Sequence, residues 1–446
     1  MFESKLTRRE MLRAALLGSA ALAVAACAPQ TETETPADTG GAAKEAAPAA
    51  GEEVEVVLWW HEYGEQGTQA ASERIAKEYT EATPGVKVTS VWNPGDYTPK
   101  LYAAFAGGVG PDAYESDVTV DKVVNKYAVA LDDLYEGVMD DFLPADLARV
   151  TIKGHLYGIP EMVDFQLLCF RNSMLEAAGV SIPKTCEELF EAAKILTKDR
   201  VKGIYLGNDA GVGRYQFYTW ATGTNFMTEE DEEPEVRFNT EGAAAAWAAI
   251  RDLNDSGSVL IGAPTDYWDP AAFNQGLCAI QHIGFWSVPA IIEAVGDDYT
   301  LVAWPPMAVG DNPGRSATNR GGWIAMVNGQ SKVIKEAMDL QKWLWIDNLA
   351  WQEEWNTGYG YKVPPRKSLV GSIEKLSTGE PKSAADQVQK YGLFIGTMWI
   401  PAMGTAVTDE VTAVIKSGKD PAQAVDDAYT KAKAEFDALV ASAEGI

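Results

Sequence analysis

The chain has 446 residues, 46% hydrophobic and 23% charged, with 64 acidic against 37 basic side chains and a formal net charge of -27. That length accommodates two domains with separate cores, and the balance of apolar and charged residues is that of a globular protein. So strong a negative charge excludes nucleic acid as a partner, argues against electrostatic docking on an anionic membrane surface, and suits a neutral or cationic ligand.

The chain opens on a targeting pattern. Thr7-Arg8-Arg9-Glu10-Met11-Leu12-Arg13 sets two adjacent arginines ahead of a short apolar segment, 14–26. A bilayer span needs about 20 residues, so this segment reads as a signal and not as an anchor helix. It ends in Val24-Ala25-Ala26-Cys27, similar to the lipobox of bacterial lipoproteins: small residues fit a signal peptidase, and the Cys27 thiol would carry the lipid. Residues 1–26 are assigned to the signal and 27–52 to a disordered tether. Between 30 and 51 there is no large apolar residue to offset the entropy of ordering. The expected location is extracytoplasmic, lipid-anchored to the cell membrane.

Residues 54–60 (VEVVLWW) predict a first strand, followed by a polar loop from His61 to Gly67. A helix is expected over 68–80 with Ala71, Ile75, Ala76 and Tyr79 facing inward. A strand over 86–91 and a helix over 97–106 follow, before the glycine-rich stop at 107–112. Strand, helix, strand, helix, strand is the order of a parallel sheet covered by helices, and such sheets bind ligands beyond the carboxyl ends of their strands. That edge holds the 61–66 loop and Asp117. Residues 165–170 are apolar throughout and bounded by turns, which predicts a strand buried on both faces. Glu161 and Asp164 stand just before it. Carboxylates there are costly unless hydrogen-bonded, so the stretch reads as a crossover whose acids face a cleft.

Further along, Thr185 and Glu188 have capping-box spacing at the start of a helix. The stiff Trp304-Pro305-Pro306 is a candidate second crossover. Asn319-Arg320-Gly321-Gly322-Trp323 precedes a strand over 324–327, an amphipathic helix is expected over 332–347, and helices over 409–417 and 421–441 close the chain. With Cys27 assigned to lipid, Cys169, Cys186 and Cys278 form an odd set among apolar neighbours. They read as small buried hydrophobes, with one disulfide as the alternative. No CxxC or HxxxH spacing occurs, and neither metal nor cofactor is expected.

Several segments together carry a resemblance: LWWHEYG from Leu58, EYTEATPGVKV from Glu78, GVGPDAYESD ending at Asp117, and the long GHLYGIPEMVDFQLLCFRNSMLEAAGVSIPKTCEELFEAAKILT from Gly154. FNQGLCAIQHIGFW up to Trp286, NRGGW up to Trp323 and GYGYKVPPRKS through Ser368 complete it. In this order they resemble the family 1 extracellular solute-binding proteins of bacterial ABC importers, the maltose-binding-protein-like group. The resemblance implies an α/β, two-lobed periplasmic-binding-protein-like fold of type II with a hinged cleft. The corresponding lobes are 53–164 with 305–355, and 165–304 with 356–446. It also implies capture of a mono- or oligosaccharide by a monomer and delivery to ABC permease subunits in the membrane.

A sugar offers hydroxyl groups around apolar C–H faces, so its site needs aromatic plates together with carboxylates and amides. The candidates are Trp286 and Trp323 as plates; Asp117, Asp164 and Glu62 for hydroxyls; and His61, Trp220, Tyr361 and Arg366 at the margin. The alternative for each aromatic is the core, and for each loop acid a solvated surface. Polyamine or glycerol phosphate binding is the rival solute reading. A lipid-anchored glycoside hydrolase is the enzymatic one, but it needs a positioned carboxylate pair that no motif marks. The chain is therefore expected not to be an enzyme.

Overall fold

The computed structural model describes residues 53–228, 233–371 and 373–443. The signal, Cys27, the tether and part of the acidic 229–235 loop lie outside the described residues. Nine strands carry the architecture: β1 (Val54–His61), β2 (Val86–Asn93), β3 (Ala113–Ser116), β4 (Ile159–Pro160), β5 (Gln166–Phe170), β6 (Lys202–Tyr205), β7 (Cys278–Gly284), β8 (Thr300–Val302) and β9 (Ile324–Val327).

The first sheet runs β2-β1-β3-β9-β4. In β1 every second residue (Val56, Leu58, Trp60) is buried, the two-residue period of a strand. It pairs in parallel with β2 and β3, the arrangement that the intervening helices Thr68–Ala82 and Tyr97–Ala106 impose. β9 arrives from far along the chain and lies antiparallel to both β3 and β4. The second sheet runs β8-β5-β7-β6. Its central strands β5 and β7 pair antiparallel from Gln166–Gly284 to Phe170–Ile280. Every residue of β7 is buried, which fits its lack of polar alternation. Each lobe has its own core. In the first, Trp60 and Trp351 both pack on Trp355 at 4.9 Å between ring centroids, with Trp345 beside them.

Three backbone segments run edge to edge between the sheets. Val163 exchanges both backbone hydrogen bonds with Val363 (2.7 and 3.1 Å), and Asp164 exchanges both with Gly321 (3.2 and 2.8 Å). The Glu161 N–H adds a bond to the Trp323 carbonyl at 3.1 Å. Segment 161–164 is thus the middle strand of a short ribbon joining the lobes. Gly322 makes that packing feasible: its φ is +102°, and a Cβ there would fall 2.3 Å from the Met162 carbonyl oxygen.

The second crossover lies elsewhere than Trp304-Pro305-Pro306. Trp304 pairs with Ala317 as a bridge inside the second lobe, and Met307 and Ala317 pack into that lobe's core. After Trp304 the chain returns to the first lobe at 320–323, later than the boundary expected at residue 305. The prolines instead cover a helix start, where the Cys186 N–H donates to the Pro306 carbonyl at 2.9 Å. The three described cysteines are buried and free.

The helix that begins there, Cys186–Leu196, is capped by the Thr185 hydroxyl, which accepts from the Glu188 N–H at 3.2 Å. The return bond of the capping box is shifted by one residue: the Glu188 carboxylate takes the Lys184 N–H at 2.7 Å. Thr185→Ala is expected to cost about 1 kcal/mol, which lowers the melting temperature by about 1–2 °C in a protein of this size. An unchanged melting curve by circular dichroism would show the cap to be redundant. Two departures lie near the C-terminus. Helix Pro401–Ser417 starts earlier than the apolar pattern suggested, with proline in its first turn. Helix Gly379–Tyr391 went unpredicted because it buries only Ala384 and Val388.

Candidate functional site

The carboxyl ends of the first sheet's strands converge on a buried polar cluster. His61 ends β1, and its Nδ1 lies 2.6 Å from Glu115 Oε1, on β3; its backbone N–H donates to the same oxygen. The Tyr63 hydroxyl donates to Glu115 Oε2 at 2.5 Å and sits 3.5 Å from Glu161 Oε2. Lys362, on the third segment of the ribbon, pairs with Glu65 and lies 4.7 Å over the Tyr63 ring. Burial, reinforced by the neighbouring Glu115, holds Glu161 well above the usual carboxylate range. Burial also pushes Asp164 up to about 7; Lys362 opposes the shift and Glu65 adds to it. Four carboxylates and one lysine therefore share a buried space beside the ribbon, where burial disfavours the charged form of Glu161.

A cavity of about 340 Å³ opens between the lobes, within the ~300–1,000 Å³ of small-molecule sites. From the first lobe come Ser116, Asp117, Arg149 and Trp323; from the second, Gln216, Trp220 and Trp399. The Asp117 side chain is 70% exposed and 3.9 Å from the buried Arg149 guanidinium. Trp323 stacks on His61 at 4.0 Å between centroids and meets Tyr97 edge-on at 5.6 Å, which fixes the plane it presents. Trp220 is almost wholly buried and held edge-on by Phe217 and Phe226.

Of the residues expected from sequence, the structure brings Asp117, Trp220 and Trp323 to this cavity, with His61 directly behind Trp323. Trp286 stands at the lobe boundary: a Cβ on Gly64, in the first lobe, would touch its Cδ1 at 3.7 Å. Its ring lies over Gly284, where a Cβ would fall 2.0 Å away, so only glycine fits there. Asp164 is in the ribbon, its Oδ1 accepting the Phe165 N–H at 2.9 Å. Glu62 is exposed and caps the Gly95 N–H at 3.2 Å. Tyr361 is half-buried between Phe285 and Lys375. Arg366 is not in the group. Its Nε donates to Asp141 at 2.7 Å, its Nη1 to the Ile346 carbonyl, and its guanidinium covers Phe142. These partners hold the side chain in the protein rather than in the cleft. Gly322 admits the crossing backbone at Met162, while Gly321 lines the cavity.

Glu115, Glu65 and Lys362 escaped the sequence reading. The signal for Glu115 was a charged residue in a four-residue strand, Ala-Tyr-Glu-Ser, whose every position is buried.

Comparison with known proteins agrees with this two-lobed architecture. A family model described as bacterial extracellular solute-binding protein matches residues 74–385. The chain belongs to that family. Solved structures share the fold of this solute-binding protein at low sequence identity. One is an ABC transporter solute-binding protein of Thermotoga lettingae bound with alpha-D-tagatose, with a TM-score of 0.73, 19% identity, and 86% of this chain and 100% of that one covered. The GacH receptor of Streptomyces glaucescens, solved unliganded and with acarbose, gives 0.73 at 21% identity over 86% and 99%. Maltose-bound MalE3 of T. maritima gives 0.70 at 20% identity over 85% and 99%. Among the described residues of the solute-binding protein, no helix is long and apolar enough to cross a membrane.

Proposed function

We propose that this solute-binding protein captures an uncharged carbohydrate outside the cytoplasm and hands it to the permease of an ABC importer, held at the membrane by lipid on Cys27. The observation that carries the reading is the cavity between the lobes, lined by the half-buried Trp323 and Trp399 and bordered by Asp117, Ser116 and Gln216. Flat apolar faces beside hydrogen-bonding side chains suit a pyranose ring. The sugars held by structural relatives, tagatose, acarbose and maltose, point the same way. The protein acts by binding and not by catalysis, so incubation with glycosides is expected to leave them intact.

A thermal-shift panel of mono- and oligosaccharides, with spermidine and glycerol phosphate as rival solutes, tests the reading. A bound sugar at 100 times its dissociation constant adds about 2.7 kcal/mol. Stabilisation by spermidine or glycerol phosphate alone would refute it. Asp117→Asn, at an exposed position, is expected to weaken sugar binding by about ten-fold through loss of a charge-assisted hydrogen bond. The melting temperature of the free protein should not move. Calorimetric titration reads the affinity, and an unaltered value would remove Asp117 from the site. Labelling with radioactive palmitate, abolished by Cys27→Ser, tests the anchor.

A further inference from the structure

We propose that Glu115 is a positioning residue for the Trp323 plate, acting through His61, so that a carboxyl group buried behind the cavity sets the affinity for a ligand it does not touch. The inference rests on the carbohydrate reading and extends it to what holds the plate. Strand register brings the three residues to one edge of the first sheet. Trp59 of β1 pairs with Tyr114 of β3, so His61 and Glu115 meet where those strands end. β9 pairs Ile324 with Ser116 and Ala325 with Glu115, which leaves Trp323, one residue earlier, at the same edge. There the His61 imidazole lies 3.8 Å from the Tyr63 ring and 4.0 Å from that of Trp323, between centroids. Glu115 ties down both rings behind the indole: Oε1 lies 2.6 Å from His61 Nδ1, and Oε2 accepts the Tyr63 hydroxyl at 2.5 Å.

Glu115 is 1% exposed, and a carboxyl group at such a position is costly to bury unless it holds something. What it holds is the support of Trp323. The backbone of that residue is fastened separately, its carbonyl accepting the Glu161 N–H at 3.1 Å. Its side chain is half-buried at the cavity and is aligned by what lies against it, the His61 ring on its face and Tyr97 edge-on. An imidazole released from Glu115 is free to turn about its side-chain bonds, and the indole stacked on it loses its fixed plane. A sugar must then order the plate as it binds, which lowers affinity without removing any group that the sugar touches.

The test uses the whole protein labelled with fluorotryptophan, in which the Trp323 resonance is identified by its loss in Trp323→Phe. Glu115→Ala removes the acceptor, Glu115→Gln keeps one, and His61→Phe keeps a stacked ring without the bond. For a sugar that binds the wild type, calorimetric titration should show about ten-fold weaker binding by Glu115→Ala and by His61→Phe, while Glu115→Gln returns to within about three-fold of the wild type. In the variant carrying both Glu115→Ala and His61→Phe the two losses should not multiply, because each breaks the same link. The Trp323 fluorine line should broaden in both weakened single variants and stay sharp in Glu115→Gln. The proposal is overturned if Glu115→Ala binds as the wild type does, if Glu115→Gln is as weak as Glu115→Ala, if the two losses multiply, or if the line stays sharp in the weakened variants; the carbohydrate reading survives each of those results. Where Glu115→Ala fails to fold, His61→Phe, which leaves the buried acid in place, decides: wild-type affinity with a sharp line overturns the proposal. If no sugar binds the wild type, the carbohydrate reading falls and the fluorine lines alone decide whether Glu115 positions Trp323.

Discussion

Raising the pH from 4 to 8 is expected to erode the stability of the wild-type protein relative to Asp164→Asn, with most of the divergence complete by pH 7. Asp164 is buried in the ribbon with its acidity pushed from 3.8 up to about 7. A carboxyl whose pKa is raised on folding keeps a proton that the unfolded chain has already released. Above the ordinary value the native state therefore holds more protons, and its stability falls until the pH passes the native value. The interval from 3.8 to about 7, at 1.36 kcal/mol per unit, amounts to roughly 4 kcal/mol. The groups facing Asp164 are Lys362, which moderates the effect, and Glu65, which strengthens it. Burial and Glu115 also raise Glu161, a background common to both proteins. Asparagine keeps the acceptor for the Phe165 N–H and cannot ionise. Denaturant melts at unit steps of pH should show the variant gaining on the wild type as pH rises. Parallel curves would mean that Asp164 carries no proton at pH 5.

The second large effect is expected at Asp146, a fully buried carboxylate that serves two guanidiniums. It takes a bidentate pair of bonds from Arg320, both 2.8 Å, and lies 3.8 Å from Arg149. Arg320 and Arg149 are themselves 5% and 1% exposed. Arg149 also donates to the Gly322 carbonyl, so the group braces the segment that ends in Trp323. Asp146→Ala would leave two buried cations, Arg149 facing the exposed Asp117 and Arg320 the neutral Gln389, at a cost of about 3–5 kcal/mol. A drop of about 3–10 °C in melting temperature is the expected reading. A fall of less than about 1 kcal/mol would show that water enters and solvates the pair.

Much of the fold could be read from residue order because it depends on short-range periods. The alternation in β1, the unbroken apolar run of β5 and the capped helix at Thr185 each follow from local rules. The crossovers did not follow so readily. Proline stiffness marked Trp304-Pro305-Pro306, yet where a stiff segment goes depends on what it packs against. Here it packs on the helix start at Cys186. The cost of burying a carboxylate drew attention to Asp164, which the structure places in the ribbon, and Trp323, expected as a plate, lines the cavity. It was illegible at Arg366, whose partner Asp141 lies 225 positions away, and at Lys362 and Glu65, which meet only once the ribbon has formed.

The hydrogen bonds between Val163 and Val363 and between Asp164 and Gly321 have a mechanical consequence. Straps stitched side by side behave as a small sheet: they twist and bend easily, whereas sliding one past another breaks every stitch. Any parting of the two lobes must then be a rotation about this ribbon rather than a glide. The angle is spread over three backbones, so no single residue has to carry a large dihedral change. A rotation of that kind would return Trp286 to the same spot beside Gly64.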